Sequence, residues 1–110
     1  MVSTLTLICI TLSDPADITL AEAHPSTIPE GGDVQLTCTA DANPQPNGFV
    51  SWTRNGNTLE DEYTSGTSVV QLTSIDRTQA GRYTCEADNG IGIMPDTLSV
   101  DVTVQCKYYK

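Results

Sequence analysis

Four cysteines and one histidine are the side chains best suited to covalent or metal chemistry in this chain: Cys9, Cys38, Cys85, Cys106 and His24. A structural zinc site needs four such ligands at short, clustered spacings, and no Cys-x-x-Cys pair occurs. A hydrolytic triad needs a base, and the single histidine stands beside Pro25 in a segment that reads as a kinked sheet edge. Glu60-Asp61-Glu62 offers three consecutive carboxylates, the raw material for acid–base work or a calcium site. No glycine-shaped loop of oxygen ligands surrounds them. They read as a solvated edge strand whose charge discourages sheet-to-sheet aggregation. The expectation is a non-enzymatic chain with no catalytic residue, no bound metal and no cofactor. Well-separated cysteines in a small strand-rich chain point instead to disulfides and an oxidising compartment.

The elements that position these residues must come from a single small domain. At 110 residues the chain suits one domain with one core. It is small enough that a covalent staple adds materially to its stability. Fourteen acidic residues against five basic ones give a net charge of −9. That balance opposes nucleic acid and anionic membrane surfaces, favours solubility and steers basic partners inward. No stretch is long enough to span a bilayer. The apolar run at residues 5–12 lacks the basic start of a secretory leader. Residues 1–14 are therefore a leader, a linker from a preceding domain or an extra N-terminal strand. The domain is expected over residues 15–106, with residues 107–110 a C-terminal linker.

Across that span the chain reads as seven or eight short strands separated by turn signals, which indicates a sandwich or barrel. Residues 18–22 form a first strand, interrupted at His24-Pro25 and resumed over 26–29. Residues 33–40 alternate cleanly, with Val34, Leu36, Cys38 and Ala40 on one face. The stretch 43–48 is a loop, and 49–54 a strand with Val50 and Trp52 inward. Asn55-Gly56 marks a hairpin, and Asn89-Gly90 another. Residues 59–65 form a short acidic edge. Strand 68–75 points Val70 and Leu72 inward. A turn at 76–80, with one turn of 3₁₀ helix, leads to strand 81–88, where Tyr83, Cys85 and Ala87 share a face. Strand 97–105 places Leu98, Val100, Val102 and Val104 inward.

The run Gln79-Ala80-Gly81-Arg82-Tyr83-Thr84-Cys85 resembles the DxGxYxC signature of immunoglobulin-superfamily domains. Cys38-Thr39-Ala40, Asn43-Pro44-Gln45-Pro46 and Trp52 are similar to the CxAxxNPxPxxxW stretch of intermediate-set and constant-2-like adhesion domains. Glu86-Ala87-Asp88-Asn89-Gly90-Ile91-Gly92 is similar to the ExxNxxG hairpin that follows. The resemblance covers residues 18–104. It implies an all-β, two-sheet antiparallel Greek-key sandwich of immunoglobulin type, without room for the extra strands of a variable domain. It also implies a Cys38–Cys85 bridge with Trp52 packed on it, worth about 4 kcal/mol on the chain-entropy model. Tyr83 then occupies the tyrosine corner, with Leu36 and Leu72 completing the core. One departure stands out. The family usually has Asp where this chain has Gln79, so the ion pair that Asp makes is absent. Arg54, Arg77 and Arg82 then need other partners or remain in solvent.

What the resemblance implies about function is an extracellular adhesion or recognition module of a cell-surface or secreted protein, of the nephrin, Kirrel and nectin kind. Its partner is another protein, homophilic or heterophilic, with a homodimer among the options. It contacts no nucleic acid and inserts no segment into the membrane. The resemblance implies docking through a sheet face or the end loops, the usual surface being the outer face of strands 49–54, 81–88 and 97–105, where parity exposes Phe49, Ser51, Thr53, Arg82, Thr84 and Glu86. Phe49 either anchors an interface, as an exposed aromatic can, or covers the sandwich end. Alternatives are an immune-receptor ligand-binding domain, a structural spacer, and an intracellular muscle-type domain resembling those of titin. Free thiols in denaturant separate the last from the others. Cys9 and Cys106 fall near opposite ends of the chain, too far apart for a direct bridge unless residues 1–12 fold back. They are expected to be free or intermolecular. No Asn-x-Ser/Thr sequon occurs.

Overall fold

The computed structural model describes residues 13–106. The apolar N-terminal run with Cys9, and the tail 107–110, lie outside the described residues. Nine strands are present among them. They are β1 (Asp14–His24), β2 (Thr27–Pro29), β3 (Val34–Asn43), β4 (Val50–Arg54), β5 (Asn57–Thr58), β6 (Glu62–Thr64), β7 (Thr67–Leu72), β8 (Gly81–Ala87) and β9 (Asp96–Gln105). One sheet runs β1-β3-β7-β6 and the other β2-β9-β8-β4-β5. The result is the all-β immunoglobulin-type sandwich that the residue pattern implied. All pairs are antiparallel except β2 with β9.

Parity places the core. In β3, Val34, Leu36, Cys38 and Ala40 are buried while Gln35 is exposed between them. In β8, Tyr83, Cys85 and Ala87 are buried in alternation. Cys38 and Cys85 are joined across the sheets with their Cα atoms 6.3 Å apart. Trp52 is fully buried and pairs with Cys85 in its own sheet. Its indole N–H donates to the Ser68 carbonyl at 3.2 Å, and Ser68 pairs with Cys38 in the opposite sheet. The indole therefore spans the core beside the bridge, with its one polar atom satisfied.

Four details differ from the alternation of the sequence. First, the segment before the first turn divides between the sheets. β1 pairs with β3, the chain breaks at His24-Pro25, and β2 resumes parallel to β9 in the other sheet. Proline has no N–H for a ladder, which allows the change of sheet there. Second, β3 runs to Asn43, three residues beyond the clean alternation. Third, Leu72 is only partly buried, packed against the rim of the core at the end of β7. Fourth, Leu98 is 47% exposed although its parity is inward. β2 pairs with β9 only from Thr103 onward, so the upper part of β9 is a sheet margin. The Asn55-Gly56 hairpin joins β4 to β5, with φ of 53° and 81° at the two turn residues, the positive angles that favour this pair.

Candidate protein-binding surface

The outer face of β4, β8 and β9 carries five of the six expected contact residues. Register sets Ser51 opposite Glu86, Thr53 opposite Thr84, Thr84 opposite Ser99, and Arg82 opposite Asp101. Hydroxyls dominate the face. The Thr84 and Ser99 hydroxyls hydrogen-bond at 2.9 Å, and the Thr53 hydroxyl donates to the Thr84 carbonyl at 3.5 Å. Arg82 meets Asp101 at 3.6 Å, with both side chains about 70% exposed, so the pair contributes little. Phe49 is the correction. It is 6% exposed, and its ring meets Tyr63 edge-on at 6.2 Å. A turn from Pro46 to Phe49 delays the strand to Val50, so strand parity does not apply to Phe49. It covers the end of the sandwich.

At the lower end the chain folds around Tyr83. Its hydroxyl donates to the Gln79 carbonyl at 2.5 Å and accepts from Arg54 at 3.0 Å. Arg54 also donates to the Thr78 and Ala80 carbonyls, each at 2.8 Å, with its guanidinium 4.9 Å from the Tyr83 ring centre. Burial pushes the Tyr83 phenol above its ordinary 10.0, and the Arg54 charge partly offsets this. Gln79 works locally instead of holding an arginine. In the 3₁₀ turn Arg77–Gln79 its side chain accepts from the Asp76 N–H at 2.9 Å, while Asp76 accepts from the Thr78 N–H at 2.8 Å. The Thr78 hydroxyl, ahead of its backbone, holds the Asp76 carboxyl below its ordinary 3.8. Arg77 pairs with Glu30 at 3.1 Å, which raises its pKa. All three arginines therefore have partners without the missing aspartate. Cys106, just past β9, is exposed and is bridged to no other cysteine among the described residues.

The upper end is organised by Asn89, which the sequence places in a hairpin. β8 and β9 do pair as a hairpin, closed by the loop 88–95, and Asn89 is 8% exposed at the base of that loop. Its amide donates to the carbonyls of Asp14 at 2.8 Å and Pro44 at 3.0 Å, and its carbonyl accepts from the Ala16 N–H at 3.1 Å. One side chain thus ties β1, the β3–β4 loop and the β8–β9 loop together. Beside it, Asp14, Pro15, Asp17, Asp41, Ala42, Asn43 and Gln45 line an open cleft of about 390 Å³. The signal for this end was present in Ile91-Gly92-Ile93-Met94, apolar residues in a loop where polar ones are usual.

The carboxylates of the 60–62 segment serve the edge. β6 begins at Glu62, and Asp61 accepts from the buried Ser68 hydroxyl. His24 ends β1, exposed and paired with Gln35.

Residues 15–89 match the family model described as "Immunoglobulin domain". Over 82 residues the chain is 40% identical to IgLON family member 5 of Homo sapiens, covering 74% of this chain and 23% of that protein. It is 39% identical over 83 residues to MAM domain-containing glycosylphosphatidylinositol anchor protein 1 of Homo sapiens, covering 72% of this chain and 8% of that protein. The chain thus spans a quarter or less of these curated relatives. Among solved structures it is similar to a chain of a titin–obscurin-like 1 immunoglobulin complex, with a TM-score of 0.75 and 23% identity, covering 89% of this chain and all of that one. A titin I-band fragment gives 0.72 at 19% identity, covering 84% of this chain and 33% of that one. At such identity these two speak to fold alone. The bridged Cys38–Cys85 core, the tyrosine corner and the match over residues 15–89 together show that the chain belongs to the immunoglobulin domain family.

Proposed function

We propose that this chain is an extracellular protein-binding module of the adhesion or recognition kind, one unit of a longer cell-surface or secreted protein. The observation that carries this reading is the 40% identity over 82 residues to a protein more than four times the length of the match. The anchor in the name of the MAM-domain relative supports a cell-surface setting. The buried Cys38–Cys85 bridge supports an oxidising compartment. Rows of hydroxyls with scattered charges suit reversible contact with another protein better than catalysis. Partner identity, and the choice between homophilic and heterophilic contact, belong to this proposal.

Two measurements test it. Alkylation without reduction, followed by mass spectrometry of protein secreted from cells, should find Cys38 and Cys85 still linked. Alkylated Cys38 and Cys85 in the natural protein would return the reading to a cytosolic, muscle-type module. A multimerised domain screened against displayed cell-surface proteins should then capture at least one specifically. No capture across such a panel, with a monomer in sedimentation, would leave a spacer.

A further inference from the structure

We infer that the β8–β9 loop and the adjoining β1/β9 margin dock a basic protein partner, with Ile93 and Met94 as apolar anchor and the neighbouring carboxylates fixing the partner's sign. This rests on the module reading above and gives it a place on the molecule.

The exposed large apolar side chains among the described residues lie on three elements: the β8–β9 loop, β9 and β1. Ile93 is fully exposed, Met94 is 74% exposed, Leu98 47% and Leu20 43%. Single exposed apolar residues are ordinary on protein surfaces, but two consecutive ones standing almost fully exposed in one loop are informative. Ile93 and Met94 occupy the loop, and Leu98 lies on β9 just below it. The Ile18 N–H donates to the Asp96 carboxylate at 2.8 Å, tying β1 to the start of β9. Leu20 and Leu98 each lie two residues further along their strands. A bulge between Ile18 and Leu20 shifts the inward side from Ala16 and Ile18 to Ala21 and Ala23, and leaves Leu20 facing out.

The loop is presented on a fixed base. Asn89 anchors its start, and Asp88 accepts from the Gly90 N–H at 2.9 Å. A Cβ on Gly92 would lie 3.1 Å from Pro15, so the loop rests against the first residues of β1. A surface ordered in advance loses less freedom on binding. That same contact sets the tip beside the cleft containing Asp14, Asp17 and Asp41.

Charge selects the occupant. The cations among the described residues lie away from this end. Arg54 and Arg77 are held at the lower end, and Arg82 pairs with Asp101 near the start of β8. The upper end carries carboxylates alone, so a lysine or arginine beside an apolar contact is complementary to it. An anionic bilayer would be repelled. A second copy would bring cleft against cleft in a chain of net charge −9.

The test uses the whole 110-residue chain and three synthetic eight-residue peptides of alternating Leu-Arg, Leu-Glu and Ser-Arg. The Leu-Arg peptide should bind at least about tenfold tighter than either control. The double variant Ile93→Ser/Met94→Ser should weaken it about tenfold while the melting temperature holds. Asp17→Asn with Asp41→Asn should flatten its salt dependence. Unchanged binding by the Ile93/Met94 variant, or equal binding of Leu-Glu, overturns the inference. So does a dimer in sedimentation that this variant abolishes, or capture by phosphatidylserine vesicles. If Thr84→Arg on the sheet face removes binding while the loop variant does not, the placement fails and the module reading survives.

Discussion

The two ends of the sandwich solve one problem with different reach. Each must close several chain segments over the edge of a core, and each is built around one polar side chain. At the lower end Tyr83 bonds a carbonyl four residues back, and Arg54 adds the carbonyls of Thr78 and Ala80. At the upper end Asn89 reaches Asp14, 75 residues away, and Pro44, 45 residues away. The lower closure is a local motif buttressed by a single arginine. The upper closure joins remote segments and leaves an apolar loop standing beyond it. A locally tied end is robust and spends its polar groups inwardly, whereas a remotely tied end positions loops relative to one another. The latter is what a recognition surface requires.

The comparison assumes a centre shared by both ends, and the largest expected effect tests that. Trp52→Ala should cost about 3–5 kcal/mol, because it removes the biggest buried side chain and strands the Ser68 carbonyl. Chemical denaturation would read the loss, and hydrogen exchange should show protection falling at both ends together. Loss confined to one end would mean the ends are separate units.

Next in size is Asn89→Ala, expected to cost about 2–3 kcal/mol because two carbonyls and the Ala16 N–H lose their partner. Here exchange should quicken at Ala16 and in the 88–95 loop while the Tyr83 corner stays protected. Equal loosening at the lower end would break the distinction drawn above.

Tyr83→Phe should cost less, about 1–2 kcal/mol, since the Gln79 carbonyl can turn toward water. It carries a signature in pH as well. Burial raises the phenol above 10.0 in the folded state, so the folded chain holds that proton more tightly than the unfolded one. Its contribution is fully present below pH 10 and is lost as pH rises through the folded value. Stability of the parent should therefore fall more steeply above about pH 10 than that of Tyr83→Phe, measured by urea unfolding in alkaline buffers. Parallel curves would show that the phenol is not held by the corner.

The same distinction in reach explains what the sequence made legible. Cys38, Trp52, Tyr83 and Cys85 declare themselves through period-two alternation and short motifs, because a strand's parity is a local property. The 3₁₀ turn after Asp76 and the change at His24-Pro25 are equally local. That β2 leaves one sheet for the other is not, since it depends on pairing with Thr103 some 75 residues later. Phe49 was misplaced because a turn from Pro46 shifts the strand start by one residue, which alternation alone does not register. Leu98 obeys parity yet lies at a margin that no strand covers, and only the sheet order reveals a margin. Asn89 followed by Gly90 has the composition of a tight turn, and its long-range bonds cannot be read from composition. Which side chains share the outer sheet face is legible because it is parity made visible, while which end loop carries exposed apolar side chains beside an acidic cleft is not.

The smallest expected effect is the sharpest probe of the upper end. Ile93 is fully exposed, so Ile93→Ser removes no buried area and breaks no packing. Its change in stability should stay within about 0.5 kcal/mol, far below that of Asn89→Ala only four positions earlier in the same loop. A residue that serves the fold would be costly to replace, and one that serves a partner would be free until the partner arrives. If thermal unfolding showed Ile93→Ser to be as damaging as Asn89→Ala, the loop tip would be part of the core's closure. Its exposure would then lose its meaning as a contact. A large loss of stability at the clamp with almost none at the tip would show that this end separates holding from presenting, which the Tyr83 corner does not.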